Sequence, residues 1–130
     1  AWLNGNRIHC APIPQLNKSM IATGFPYYMF DKFEAYMHIL KDLMKQSHGL
    51  RRCGSAAIDL AWVACGRFDA YFEYNIQPYD IAAGCILVTE AGGKTCDFFG
   101  GDQYLALKHV IASTDAIHDD LKQIIHTHWK

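Results

Sequence analysis

The sequence lacks an excess of charge of either sign. Over 130 residues, 12 Lys and Arg side chains are balanced by 13 Asp and Glu side chains, which gives a formal net charge of -1. Sequence-independent binding of nucleic acid requires a basic surface that neutralises phosphates. The charge balance therefore argues against a nucleic-acid partner.

Long hydrophobic runs and paired cysteines are also missing. No apolar stretch approaches the roughly 18 residues that cross a bilayer, and the first residues carry no signal-peptide pattern, so a membrane protein is not indicated. The cysteines are odd in number, contain no C-x-x-C pair and lie at Cys10, Cys53, Cys65, Cys85 and Cys96. This usage is typical of reduced thiols in a cytoplasmic protein, and the seven histidines show no H-E-x-x-H spacing for zinc.

What the sequence does contain is apolar material for one core. Hydrophobic residues make up 51% of the chain and charged residues only 19%, which predicts a single folded domain over residues 1–130. Strands are predicted at residues 7–11, 20–25, 50–53, 70–74, 94–98 and 110–113. Helices are predicted at residues 30–48, 58–65, 81–91 with Pro78 as its opening, and 115–128 after a Ser113-Thr114 cap. Strands that alternate with helices indicate a layered α/β fold with a largely covered sheet.

One candidate site lies where a predicted strand turns into a helix, at Arg51-Arg52-Cys53-Gly54-Ser55-Ala56-Ala57. Free backbone N–H groups and the positive end of the helix dipole would face outward there, beside two guanidinium groups. That arrangement suits a phosphate. The same residues also fit a plain helix cap with two solvated arginines, and the pattern alone leaves both interpretations open.

A second candidate site consists of two carboxylates. Glu73 ends an aromatic strand, and Asp80 follows at the start of the next helix after Pro78-Tyr79. Both can reach one edge of the sheet, and Mg²⁺ prefers carboxylate oxygens. The alternative is that Asp80 caps its helix, which contributes roughly 1 kcal/mol, while Glu73 forms a surface ion pair.

The order of these motifs resembles a known family. The matching pieces are Arg51-Arg52-x-Gly54-Ser55-Ala56-Ala57, Asp69-Ala70-Tyr71-Phe72-Glu73, Pro78-Tyr79-Asp80-Ile81-Ala82-Ala83-Gly84 and Thr89-Glu90-Ala91-Gly92-Gly93. Together they closely resemble the C-terminal half of inositol monophosphatases. Two further pieces, Leu3-Asn4-Gly5 and Ala22-Thr23-Gly24-Phe25-Pro26, extend the resemblance over nearly the whole chain.

The resemblance implies a fold and a role for each candidate residue. The fold would be a mixed sheet layered with helices, like the C-terminal domain of the sugar-phosphatase superfamily. Asp80 matches a Mg²⁺ ligand, although Tyr79 stands where the family usually has Trp, and Glu73 matches a carboxylate that contacts substrate hydroxyls. The segment that frames the bound substrate is matched by Arg51, Gly54, Ser55 and Ala56. No residue of this chain matches a catalytic group that acts on water or phosphate.

The family's N-terminal half is missing. Its Glu-bearing segment and its Asp-Pro-x-Asp-Gly-Thr motif, which carry most metal ligands, occur nowhere in the sequence, and the chain starts at Ala1 rather than Met. The resemblance therefore implies a C-terminal fragment of a Mg²⁺-dependent phosphomonoesterase that acts on inositol 1-phosphate or a similar polyol phosphate. We expect the fragment alone to be inactive, and the whole protein to be a homodimer. The alternatives are a non-catalytic binding or assembly module, and a nucleotide or fructose bisphosphatase of the same superfamily.

Overall fold

A computed structural model describes residues 1–25 and 31–130. The helices are α1 (Phe33–Gln46), α2 (Ala56–Ala64), α3 (Pro78–Glu90), α4 (Tyr104–Leu107) and α5 (Asp115–His128). The strands are β1 (Trp2–Leu3), β2 (Asn6–Arg7), β3 (Met20–Thr23), β4 (Gly49–Arg51), β5 (Ala70–Tyr74), β6 (Lys94–Cys96) and β7 (His109–Ser113). One 3-10 turn covers Leu16–Lys18.

Five of the strands form a mixed sheet in the order β4-β3-β5-β7-β6. Strands β4, β3 and β5 are parallel, whereas β7 runs antiparallel to both β5 and β6. Strands β1 and β2 form a separate antiparallel hairpin. The expectation of a mixed sheet layered with helices is confirmed.

Each face of the sheet is covered by two long helices. Helices α1 and α5 pack on one face, in a core that includes Phe72 of β5. Helices α2 and α3 pack on the other face, where the neighbouring Tyr71 points. Side chains alternate between the faces of a strand, so Glu73 lies on the same side as Tyr71, towards α2 and α3.

Helices α2 and α3 approach closely because one of their contact residues is glycine. A Cβ added to Gly84 of α3 would lie 2.5 Å from the Cβ of Leu60 in α2. The missing side chain lets the two helix backbones come close together on the sheet. The two helices therefore start side by side.

Several predicted boundaries are wrong. The strand predicted at 7–11 ends at Arg7, because the next residues bond to other parts of the chain, with the Cys10 N–H donating to the carbonyl of Ala91. The strand predicted at 50–53 runs over Gly49–Arg51, and the one at 94–98 stops at Cys96, where a turn begins. The hairpin, the 3-10 turn and α4 were not predicted.

Two helix starts and one helix cap also differ, and the first of these is α2, which begins at Ala56 rather than at residue 58. The helix predicted from residue 30 begins at Phe33, while residues 26–30, which include Pro26 of the family motif, lie outside the described ranges. Thr114 is the N-cap residue of α5, but its side chain caps no N–H of that helix. Its hydroxyl instead donates to the carbonyl of Ala11, so it ties the N-terminal segment to the sheet. In the described parts of the chain, no helix is both long and apolar enough to span a bilayer.

Candidate functional site

A cavity of about 250 Å³ lies where the parallel strands β3 and β5 end and helices α2 and α3 begin. Its lining residues are Thr23, Gly24, Arg52, Gly54, Ser55, Ala56, Ala57, Asp59, Glu73, Ile76 and Asp80. Ligands of open α/β sheets bind outside the carboxyl ends of the strands, which is where this cavity opens. A larger groove, of about 460 Å³ between α1 and α5, contains a single carboxylate, that of Asp120.

Five of the six residues proposed from the sequence line this cavity. Gly54, Ser55 and Ala56 form its wall at the start of α2, and Glu73 and Asp80 face it from β5 and α3. The two candidate sites of the sequence are therefore one site.

Arg51 is the exception. It borders a neighbouring apolar groove, and its guanidinium donates to the carbonyl of Leu50 at 2.9 Å. Arg52, the next residue, lines the cavity and borders that groove as well.

The turn before α2 places backbone groups at the cavity wall. Gly54 has a φ of 99°, which favours glycine, and an added Cβ would lie 2.8 Å from Nη1 of Arg52. Ser55 is the N-cap, and its hydroxyl oxygen accepts a hydrogen bond from the N–H of Ile58 at 3.4 Å. Ser55 thus serves as a helix cap and as a cavity wall at once.

Glu73 is half-buried and held from two sides. The phenol of Tyr71 donates a hydrogen bond to its carboxylate, and a Cβ on Gly24 would overlap that carboxylate. Burial raises the pKa of Glu73, and the charges of Asp59 and Asp80 act in the same direction, while the Tyr71 hydrogen bond opposes the rise. Glu73 is therefore an acceptor in a crowded acidic environment.

Asp59 is a third carboxylate at the cavity, and it was not among the site residues predicted from the sequence. It lies in α2 with 1% of its surface exposed, and its Oδ1 atom has no hydrogen-bond partner among the described residues. Burial raises its pKa to about 6, against the opposing effects of the Arg52 charge and the Cys53 thiol. Its one sequence signal is that it interrupts the otherwise apolar run of α2.

The donor set fits part of a magnesium site. Asp80 lies in the first turn of α3 and offers a hard oxygen ligand at the cavity. In the ranges 1–25 and 31–130, however, no three His, Cys, Asp or Glu side chains are grouped to hold a metal. Since Mg²⁺ is commonly bound by one or two carboxylates together with water and phosphate oxygens, Asp80 fits as one ligand of an ion whose other ligands lie outside these residues.

Fold and cavity together define an α/β domain with a carboxylate-lined cavity at the ends of parallel strands. All of residues 1–130 match the model of the inositol monophosphatase family, and the chain belongs to that family. This confirms the resemblance noted in the sequence.

Similar proteins include bacterial proteins that are named Nus factors. A putative Nus factor SuhB of Neisseria meningitidis serogroup B is 41% identical over 128 residues, which are 98% of this chain and 49% of that protein. The Nus factor SuhB of Escherichia coli K12 is 40% identical over 117 residues, 90% of this chain and 44% of that protein. The chain thus spans about half the length of these relatives.

Two solved structures are similar to this chain over nearly its whole length. The extragenic suppressor protein suhB of Bartonella henselae superposes with a TM-score of 0.90 at 36% identity, over 95% of this chain and 47% of that one. The inositol monophosphatase of Anabaena superposes with a TM-score of 0.83 at 38% identity, over 95% of this chain and 51% of that one.

Proposed function

We propose that this chain forms the polyol-binding side of a Mg²⁺-dependent phosphomonoesterase, and that the whole protein hydrolyses inositol 1-phosphate or a similar polyol phosphate. The observation that carries the proposal is the convergence of Gly54, Ser55, Ala56, Glu73 and Asp80 on one cavity. These residues come from three different parts of the chain, and each belongs to a motif by which the sequence resembles the family, which supports the proposal.

Each residue has a chemical task in this proposal. Asp80 holds Mg²⁺, which, when bound, neutralises phosphate oxygens and lowers the pKa of a water. Glu73 accepts a hydrogen bond from a substrate hydroxyl and so orients the polyol. The turn at Gly54-Ser55-Ala56 shapes the wall against which the substrate lies.

The charges of the cavity explain why this chain alone would be insufficient. Asp59, Glu73 and Asp80 line the cavity together with a single guanidinium, that of Arg52. A phosphate would meet an excess of negative charge there, and one carboxylate from this chain does not complete a magnesium site. We therefore propose that hydrolysis requires the other half of the protein, and that the isolated chain has no activity.

The names of the relatives favour a second candidate function. Proteins about 40% identical to this chain carry the name Nus factor SuhB, which supports a non-catalytic assembly role for the whole protein. The two functions are separable, because an assembly role needs a surface whereas hydrolysis needs Asp80. Nucleotide or fructose bisphosphatase activity remains the alternative within the superfamily, and a panel of phosphate esters distinguishes it.

The test is an assay of the whole protein and its Asp80→Asn variant with inositol 1-phosphate and millimolar Mg²⁺. We expect kcat/KM to fall by at least about a hundredfold in the variant, because the amide keeps the shape but loses the ligand charge. The melting temperature should stay within about 2 °C of the parent. Asp120→Asn, at an exposed position of α5, is the matched control and should leave both values unchanged.

Two results would contradict the proposal. One is an Asp80→Asn variant that keeps parental turnover and Mg²⁺ dependence but melts at a lower temperature, since Asp80 would then be a helix cap. The other is an isolated 130-residue chain that turns over as fast as the whole protein.

A further inference from the structure

Glu73 is fixed by a donor that lies outside the cavity. Tyr71 is completely buried beneath α2 and α3, and its phenol donates a hydrogen bond to the Glu73 carboxylate. The two residues are neighbours on the same face of β5, so this contact follows directly from strand geometry. Tyr71 does not line the cavity, and it therefore reaches a bound ligand only through Glu73.

The phenol is a dependable donor. Burial, followed by the charge of Glu73, raises the pKa of Tyr71 far above its ordinary value. The hydroxyl is therefore held in its protonated, donating form.

The other side of the carboxylate is closed by Gly24. The absence of a side chain there leaves the space that the Glu73 carboxylate occupies. The Gly24 backbone is itself anchored, because its carbonyl accepts a hydrogen bond from the Tyr36 hydroxyl at 2.6 Å. That hydroxyl also lies 2.7 Å from the Thr23 hydroxyl, whose single proton can be donated either to Tyr36 or to the carbonyl of Phe72 at 2.8 Å. The wall opposite Tyr71 is thus tied to the centre of the sheet.

The surroundings of Glu73 explain why its side chain needs to be held in place. The charges of Asp59 and Asp80 both disfavour the ionised Glu73, and a glutamate side chain has several rotamers by which to turn away. An acceptor that must distinguish one hydroxyl from none has to be held in place before the substrate arrives.

We propose that Tyr71 and Gly24 are positioning residues that hold the Glu73 carboxylate in the orientation in which it selects polyol esters over simple alkyl esters. The inference rests on the proposed function in that it takes a substrate hydroxyl as the partner of Glu73. Tyr71 does not line the cavity and Gly24 contributes only backbone atoms to it, so we assign to both residues an effect on selectivity rather than on the chemical step.

The first variant is Tyr71→Phe in the whole protein, which keeps the ring and removes only the donor. We expect kcat/KM for inositol 1-phosphate to fall by about tenfold, while kcat/KM for ethyl phosphate changes less than about twofold. Tyr104→Phe, in α4, is the matched control and should change neither. An equal fall for both esters, or no fall, would overturn the proposal.

The second variant tests the opposite wall by compensation. Gly24→Ala introduces a methyl group where the carboxylate lies, and Glu73→Asp withdraws that carboxylate by one methylene. If the two residues act through this contact, the Gly24→Ala substitution should lower selectivity strongly in the parent and weakly in the Glu73→Asp background. Independent, multiplicative losses would contradict the role given to Gly24.

A readout without substrate separates this inference from the proposed function. In the metal-free whole protein, the pKa of the Glu73 carboxyl, followed by NMR, should rise in Tyr71→Phe because a hydrogen bond to the ionised form is lost. If the parent protein hydrolyses neither ester, the proposed function fails, and this pKa still decides whether Tyr71 fixes Glu73. An unchanged pKa would refute the positioning role even in an active enzyme.

Discussion

Two buried aspartates in different regions of the molecule have opposite surroundings. Asp97, in the turn after β6, is 2% exposed, and Asp59, at the cavity, is 1% exposed. The Asp97 carboxylate accepts hydrogen bonds from the N–H groups of Phe99 at 2.8 Å, Gly101 at 3.0 Å and Gln103 at 3.1 Å. The Oδ1 atom of Asp59 accepts none from the described residues.

The two aspartates are almost equally buried. They differ in whether their carboxylate oxygens have hydrogen-bond donors among the described residues. A buried carboxylate with three backbone donors replaces water completely and organises the turn around it. The turn is closed further by His109, whose Nδ1 accepts from the N–H of Phe98 at 3.0 Å. A buried carboxylate oxygen without a donor instead lowers stability, and it lies here beside the cavity that we assign to function.

The largest change in the free energy of unfolding is expected for a substitution of Asp97, whose carboxylate accepts three hydrogen bonds. Asp97→Ala should lower the free energy of unfolding of the whole protein by about 3 kcal/mol, because three part-buried N–H groups lose their acceptor. Urea unfolding followed by circular dichroism measures this change. Asp102→Ala, an exposed position of the same turn, is the control, and a loss no larger than that of the control would break the comparison.

A smaller effect of opposite sign is expected at the cavity. Asp59→Asn should raise the free energy of unfolding at pH 8 by on the order of 1 kcal/mol, because a buried charge is removed. The pKa of Asp59 is about 6 in the folded protein against an ordinary 3.8, so the folded state binds this proton more tightly. The stability that comes from the proton is present below pH 3.8 and is lost as the pH rises through about 6.

The pH dependence sharpens that prediction. The difference in unfolding free energy between Asp59→Asn and the parent should grow from pH 4 to pH 7 and then level off. Urea unfolding at several values of pH measures it. A variant that is less stable than the parent at pH 8 would place Asp59 in the same class as Asp97.

The smallest effect is expected at the cap of α2. Ser55→Ala removes a side-chain acceptor whose hydrogen bond is long, at 3.4 Å, so the loss should be about 0.5–1 kcal/mol, the lower part of the usual range for N-caps. Thermal unfolding of the whole protein measures it, with Ser55→Gly as the companion variant because glycine is a tolerated cap. A loss above about 2 kcal/mol would mean that the cavity wall is as strongly organised as the Asp97 turn.

The sequence was sufficient for elements that are long or strongly patterned. The strand predicted at 70–74 is confirmed as β5, and the helix predicted at 115–128 is confirmed as α5. The hairpin of β1 and β2 has two residues in each strand, which is too short for any alternation to be visible. Helix α4 has four residues, which is likewise too short for a hydrophobic pattern to be visible.

At the site, the order of the family motifs assigned several residues to one site. Their spacing in the sequence alone does not connect them. Glu73 and Asp80 each had a plain structural explanation until the family pattern connected them with the turn at Gly54. Arg51 and Arg52 are adjacent at the end of β4, and no sequence motif indicates which of the two lines the cavity. The sequence signal for Asp59 is only its position in the apolar run of α2, and the missing hydrogen-bond partner of its Oδ1 atom among the described residues is visible only in the structure.

The strand order carries a consequence for synthesis on the ribosome. Strand β5 lies at the centre of the sheet, yet one of its neighbours, β7, is the last in chain order of the five strands in that sheet. Until Ser113 has emerged from the exit tunnel, one edge of β5 has no hydrogen-bonding partner from the sheet. At roughly 5–20 residues per second, the nascent chain exposes that edge for a few seconds, a period in which a chaperone that binds extended apolar segments would protect it.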